Sequence, residues 1–162
     1  MTDLLVVALG KAISVAYDLD SVDVGLAVAT AHGVMIPVLT DVTTVSWADV
    51  AQQRAKAVER ARAGKLSAQD LRTPTSTLSN LGSYGVDSFT GIIAVGQPTL
   101  MTVGRVAPRI VVAGEGFAIA RTFNATLNAD HRALDGADAA RILAAFAETC
   151  ASRSETTNES RA

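Results

Sequence analysis

The sequence predicts a mixed α/β layer fold. Three observations point there: several short runs alternate around β-branched residues, three helical stretches punctuate them, and a long alternating run delivers His131 to the start of the last helix. Residues 3–16 place Leu5, Leu9, Ala12 and Ala16 one to two helical turns apart, which suits a helix with one buried face. Strands are expected over 22–30 and 34–39, joined by a turn at His32-Gly33, so His32 is read as an exposed turn residue. Ser46-Trp47-Ala48-Asp49 has the form of a capping box, with Asp49 in place of Glu or Gln. The helix it opens has an apolar side built from Trp47, Val50, Ala51, Ala57, Val58 and Ala61. Gln52, Gln53, Lys56, Glu59, Arg60 and Arg62 lie mainly on the other side, a solvated face, and Gly64 closes the helix as a left-handed cap. Pro74 breaks the chain before a strand over 75–81, and Gly82-Ser83-Tyr84-Gly85 forms a loop. Further strands are expected over 91–95, 100–106 and 110–113, with a turn at Gly114-Glu115-Gly116. Residues 117–127 alternate most regularly, with Phe117, Ile119, Phe123, Ala125 and Leu127 on one side. The last helix, 136–151, turns Ala140, Leu143, Phe146, Ala147 and Cys150 inward. Residues 152–162 are polar and are expected to form a disordered tail, leaving one domain over 1–151.

Composition narrows the function. At 49% apolar and 19% charged residues the chain reads as globular, and a net charge of −2 gives no electrostatic case for nucleic acid or an anionic membrane. A single cysteine, Cys150, excludes an intrachain disulfide and a cysteine-based metal site; its place on the apolar side of the last helix makes it a core residue. The apolar N-terminal run has no basic start or cleavage pattern and is too short to span a bilayer, so a cytoplasmic protein is expected.

The chemistry concentrates in His131-Arg132-Ala133-Leu134-Asp135-Gly136. An imidazole and a carboxylate four positions apart, between a strand and a helix, suit a histidine that takes a proton from a thiol or hydroxyl. The same spacing also suits a strand-to-helix turn in which Asp135 caps the helix and His131 is a half-buried side chain. A second polar cluster, Thr75 to Gly82, carries hydroxyls that can donate to a developing oxyanion, although Ser/Thr-rich strand ends are common for structural reasons. No phosphate loop, dinucleotide fingerprint, metal-ligand spacing or serine nucleophile elbow is present.

The run from His131 to Arg141 closely resembles the C-terminal signature of the dihydrolipoamide acyltransferases of 2-oxo-acid dehydrogenase complexes. Upstream, Asp23 to Thr30 with Gly33 to Val38 resembles that family's paired strands, and Ala61-Arg62-Ala63-Gly64-Lys65-Leu66 its helix end. Thr77-Leu78-Ser79-Asn80-Leu81-Gly82, followed by Val86-Asp87-Ser88-Phe89-Thr90 and Ile92-Ile93, is similar to its active-site strand and loop. The resemblance implies the chloramphenicol-acetyltransferase-like fold, an α/β two-layer sandwich assembled into homotrimers with active sites between subunits. It implies transfer of an acyl group between coenzyme A and a dihydrolipoyl thiol carried by another domain. Under it His131 is the general base, Ser79 the oxyanion donor and Asp135 the supporting carboxylate, acting through an arginine such as Arg132. Asn80 and Arg132 are the cofactor contacts, and no metal is needed.

Against that pattern the chain has no lipoyl or peripheral-subunit-binding segment and lacks roughly the first third of the catalytic domain. It is shortened between Ala16 and Val22, and it departs at Thr73-Pro74 and Gly96-Gln97-Pro98. The expected partners are therefore other copies of the chain, other dehydrogenase-complex components, or a second chain that supplies the missing elements. Two alternatives to a complex-bound acyltransferase are a free-standing acetyltransferase of small-molecule biosynthesis and a non-catalytic subunit.

Overall fold

The computed structural model describes the backbone of residues 1–159 and the side chains through residue 152. Helix α1, Thr2–Tyr17, is buried on more than one face: Leu5 to Gly10, Ala12 and Ile13 all lie inside. The expected single stripe is too narrow because α1 is the central helix, packed against both other helices and the sheet. Gly10 is required there, since a Cβ would meet the Val42 side chain at 2.4 Å.

The expected strand over 22–30 divides into β1, Val24–Leu26, and β2, Val28–Thr30; that over 34–39 divides into β3, Gly33–Met35, and β4, Val38–Leu39. Each half takes a different partner: β1 pairs with β4 in the main sheet, and β2 pairs with β3 in a separate hairpin. The His32 turn is as expected, with Thr30 Oγ1 accepting from His32 N–H and donating to the Gly33 carbonyl. Helix α2, Trp47–Arg62, opens on a complete capping box: Ser46 Oγ accepts from Asp49 N–H, and Asp49 accepts from Ser46 N–H. It ends at Gly64, at φ 66, where the Lys65 N–H reaches back to the Arg60 carbonyl.

Strands β5, Ser76–Asn80, and β6, Thr99–Val103, run parallel in the centre, and β9, Ala125–Ala129, pairs antiparallel with β6. The main sheet therefore has five strands in the order β4-β1-β5-β6-β9. Strands β7, Ala107–Ala113, and β8, Gly116–Thr122, form a hairpin outside it. Helix α3, Gly136–Glu159, packs on α1 and β9. Its backbone continues past residue 151, where the sequence reading ends it; of the expected tail, 160–162 lie outside the described residues. Among the described residues no helix is long and apolar enough to cross a membrane.

Two expected strands fall differently. Residues 91–95 form no strand, and Ile92 and Val95 stand almost fully in solvent. Both sides of β6 are taken by β5 and β9, and residues 91–95 join no other strand. The 117–127 run breaks at Phe123-Asn124. Phe117 and Ile119 are exposed on the hairpin, whereas Phe123, Ala125 and Leu127 pack against the core.

The two margins of the sheet are unlike. On the outer side of β4, Val38 N–H donates to the Asp70 carbonyl, and the Gln53 carboxamide bonds both the N–H and the carbonyl of Thr40. That border is closed by α2 and the loop after it.

Candidate active site

Ser79 lies near the C-terminal end of β5, level with Thr102 of β6 and, through it, Thr126 of β9. Its hydroxyl makes no hydrogen bond to any described residue, so a donor is left available. The residue after it is committed to structure: Asn80 Oδ1 accepts the Gly82 N–H at 2.8 Å and closes the turn beyond the strand. Ser79 and Asn80 both line a cleft of about 300 Å³ together with Val34, Tyr84, Arg54 and Arg62.

Arg54, Val58 and Arg62 follow one another at four-residue intervals along α2, and all three line that cleft. The sequence reading places Arg62 on a solvated face and overlooks Arg54. The four-residue spacing was the available signal, but nothing local says what lies across from it. Arg54 pairs with Asp3 on α1, and no described residue pairs with Arg62.

His131 follows β9 in a tight turn held by Ala133 and Leu134 N–H groups donating to the Asp130 carbonyl. Leu134 anchors this turn in the core, while the imidazole is exposed and bonds to no described residue. Asp135 does not touch it. Its carboxylate accepts the N–H groups of Ala137 and Asp138, and Asp138 in turn accepts the Asp135 N–H, a reciprocal cap on α3. The Asp138 and Ala137 N–H donors hold the Asp135 carboxyl below the usual carboxylate range.

Arg132 is not the link to Asp135 that the resemblance implies. It forks onto Asp130, with Nε to Oδ1 at 3.0 Å and Nη2 to Oδ2 at 2.6 Å. Asp130 is two residues away and already oriented by the Arg132 N–H, so the shorter loop wins. The Arg132 guanidinium brings the Asp130 carboxyl down to about 2. Cys150 is half-buried, and burial pushes its thiol up to about 11, which removes it as a nucleophile.

Ser79 and His131 are therefore not brought together within one protomer. At ~3.3 Å per residue, His131 lies about 15 Å further along the sheet than Ser79, beyond the opposite end of β5.

Residues 11–155 match the 2-oxoacid dehydrogenases acyltransferase (catalytic domain) family. The chain belongs to that family. An acyltransferase of this family from Rickettsia bellii, the dihydrolipoyllysine-residue acetyltransferase component of the pyruvate dehydrogenase complex, is 35% identical over 127 residues, covering 78% of this chain and 30% of the relative. The chloroplastic component 4 from Arabidopsis thaliana is 36% identical over 129 residues, 79% of this chain and 27% of its own. Among solved structures, a probable dihydrolipoamide acetyltransferase from Listeria monocytogenes superposes with a TM-score of 0.84 at 26% identity, covering 91% of this chain and 68% of that one. The Azotobacter vinelandii dihydrolipoamide acetyltransferase superposes with a TM-score of 0.85 at 27% identity, covering 91% and 66%. The chain thus spans about a third of its curated relatives and two thirds of its structural ones. The fold match establishes the two-layer α/β architecture expected from the sequence.

Proposed function

We propose that this chain transfers acyl groups between coenzyme A and a dihydrolipoyl thiol, with His131 of one protomer facing Ser79 of its neighbour in a homotrimer. One observation carries the catalytic assignment. A serine, a histidine and an asparagine are named in the catalytic mechanism of the Azotobacter enzyme; the serine precedes the histidine by 52 residues and the asparagine follows it by four. Ser79, His131 and Asp135 stand at the same separations. An asparagine at the position of Asp135 accords with a group that caps a helix through its side-chain oxygen, a task either residue performs.

The distance between Ser79 and His131 in one protomer supports a site completed by a second. So does the hairpin of β7 and β8. Ile110 opposes Ile119 and Val112 opposes Phe117 across its ladder, and all four are exposed by three quarters or more. Such an apolar face is fit to be covered by another copy, and the relatives include the cubic core of a pyruvate dehydrogenase multienzyme complex.

The mechanism follows from the free groups. A thiol is only slightly ionised near neutral pH, so a neutral imidazole at His131 takes its proton as the sulfur attacks the thioester carbonyl carbon. Negative charge then develops on the carbonyl oxygen, where the Ser79 hydroxyl donates. Collapse breaks the original carbon–sulfur bond, and the departing thiolate recovers the proton from His131. The guanidinium groups of Arg54 and Arg62 suit the phosphates of coenzyme A. Thiol release from acetyl-coenzyme A with dihydrolipoamide as acceptor tests this: His131→Ala is expected to lower the rate by about 10²–10⁴-fold. Equal rates for the two proteins would overturn the assignment.

A further inference from the structure

We propose that Gln97 is a positioning residue for His131: its buried side chain pins, through Thr77, the segment from which the histidine turn hangs. The inference rests on the reading of His131 as general base. Within one protomer no described side chain is bonded to that imidazole, since Asp135 caps α3 and Arg132 turns to Asp130. The placement of His131 therefore comes through the backbone. The ladder of β6 and β9 closes at Thr99 opposite Ala129, and one further bond follows, from Asp130 N–H to the Pro98 carbonyl at 2.9 Å. His131 is the next residue. Its turn thus has two anchors, Leu134 in the core after it and Pro98 before it.

Pro98 is held in turn by the residue that precedes it. Ala94, Val95 and Gly96 are exposed, and the chain re-enters the protein at Gln97, which is only 9% exposed. The Gln97 carboxamide oxygen accepts the Thr77 hydroxyl of β5 at 2.6 Å, in a buried bond. Beside it the Thr99 hydroxyl donates to Ser76 Oγ at 2.7 Å, also buried. Ser76 and Thr77 point to opposite faces of β5, so the two bonds stitch the start of β6 to it on both sides of the sheet. Among the described residues no buried side-chain polar atom lacks a partner. A buried polar network of that kind rigidifies what it joins, where apolar packing alone would allow more than one arrangement. Rigidity here bears on the reaction, because a base displaced by about 1 Å can cost about 10²-fold in rate.

Oligomers assembled from equal amounts of Ser79→Ala and His131→Ala chains take an intact histidine from the first chain and an intact serine from the second. Gln97→Ala is then added to one chain or to the other. Beside the intact histidine it is expected to lower kcat about 10–10²-fold, with KM for acetyl-coenzyme A unchanged. Beside the intact serine it is expected to leave the rate of the parent mixture nearly unchanged. Equal losses in the two mixtures, or no loss in either, would overturn the proposal. Thr77→Val removes the hydroxyl with little change of shape, is expected to show the same asymmetry, and decides the matter if Gln97→Ala does not fold. Thr77→Ser keeps the hydroxyl and is expected to restore the rate. Hydrogen exchange at the Asp130 amide is followed alongside, and Gln97→Ala and Thr77→Val are each expected to speed it about tenfold or more. Unchanged exchange would overturn the link whatever the rates. An inactive parent mixture, or a fully active His131→Ala chain, would instead sink the reading of the shared site; faster Asp130 exchange would then still support the hold of Gln97 on the turn.

Discussion

Ser79 and His131 sit toward opposite ends of the same sheet: Ser79 is level with Thr126, and His131 lies beyond Ala129, which is level with Thr99. A reaction that needs both groups at one carbonyl has to draw them from different protomers.

Mixing two inactive variants tests that arrangement. Ser79→Ala and His131→Ala each disable every site in their own homo-oligomer. Equal amounts, dissociated and reassembled together, are expected to recover about a quarter of the unaltered rate, because one site in four pairs an intact serine with an intact histidine. No recovery, with mixed oligomers verified by mass, would place both groups in one protomer.

The Asp135 carboxylate is bonded to the helix and makes no hydrogen bond to the imidazole. Asp135→Asn is expected to keep both the acyl-transfer rate and the melting temperature close to those of the unaltered chain, since the amide oxygen still accepts from Ala137 and Asp138. Asp135→Ala is expected to melt a few degrees lower. A large loss of rate in the asparagine variant without a change in melting would reverse this reading.

Acid titration has a defined sign. Asp70, bonded by Arg60 and the Ser67 backbone, and Asp130, bonded by Arg132, both have carboxyls lowered to about 2. Groups lowered on folding contribute fully above their unfolded value near 4, and that contribution is lost as pH falls toward 2. Denaturant midpoints are therefore expected to fall between pH 4 and 2, with a shallower fall in Asp70→Asn.

Gly104 has no room for a side chain. A Cβ there would stand 2.0 Å from the Asp87 carbonyl oxygen, which is backbone and cannot swing away. Gly104→Ala is expected to cost about 1–3 kcal/mol in denaturant unfolding. An unchanged midpoint would mean that the 85–90 loop is free to move.

Much of the fold was legible because its determinants are local. The Ser46 and Asp49 cap, the Gly64 stop and the His32 turn each depend on residues within a few positions, and all stand where sequence reasoning puts them. What was not legible depended on partners distant in the chain. Alternation over 117–127 cannot reveal that Phe117 faces solvent while Leu127 packs on the core, nor that residues 91–95 find both sides of β6 taken. The site divides in the same way. Asp135 was recognisable as a cap or a catalytic support, and the structure shows the cap. The choice of Asp130 by Arg132, and the approach of Arg54 and Arg62 to Ser79, emerge only when elements are assembled.

The carboxamide of Gln53 has one more effect. Runaway fibre growth by strand exchange demands a receptive border on both sides of every sheet. Here Thr40 is already matched by a side chain that imitates a neighbouring backbone. The β4 border is thereby shut to an incoming strand, and runaway pairing cannot start from that side of the main sheet.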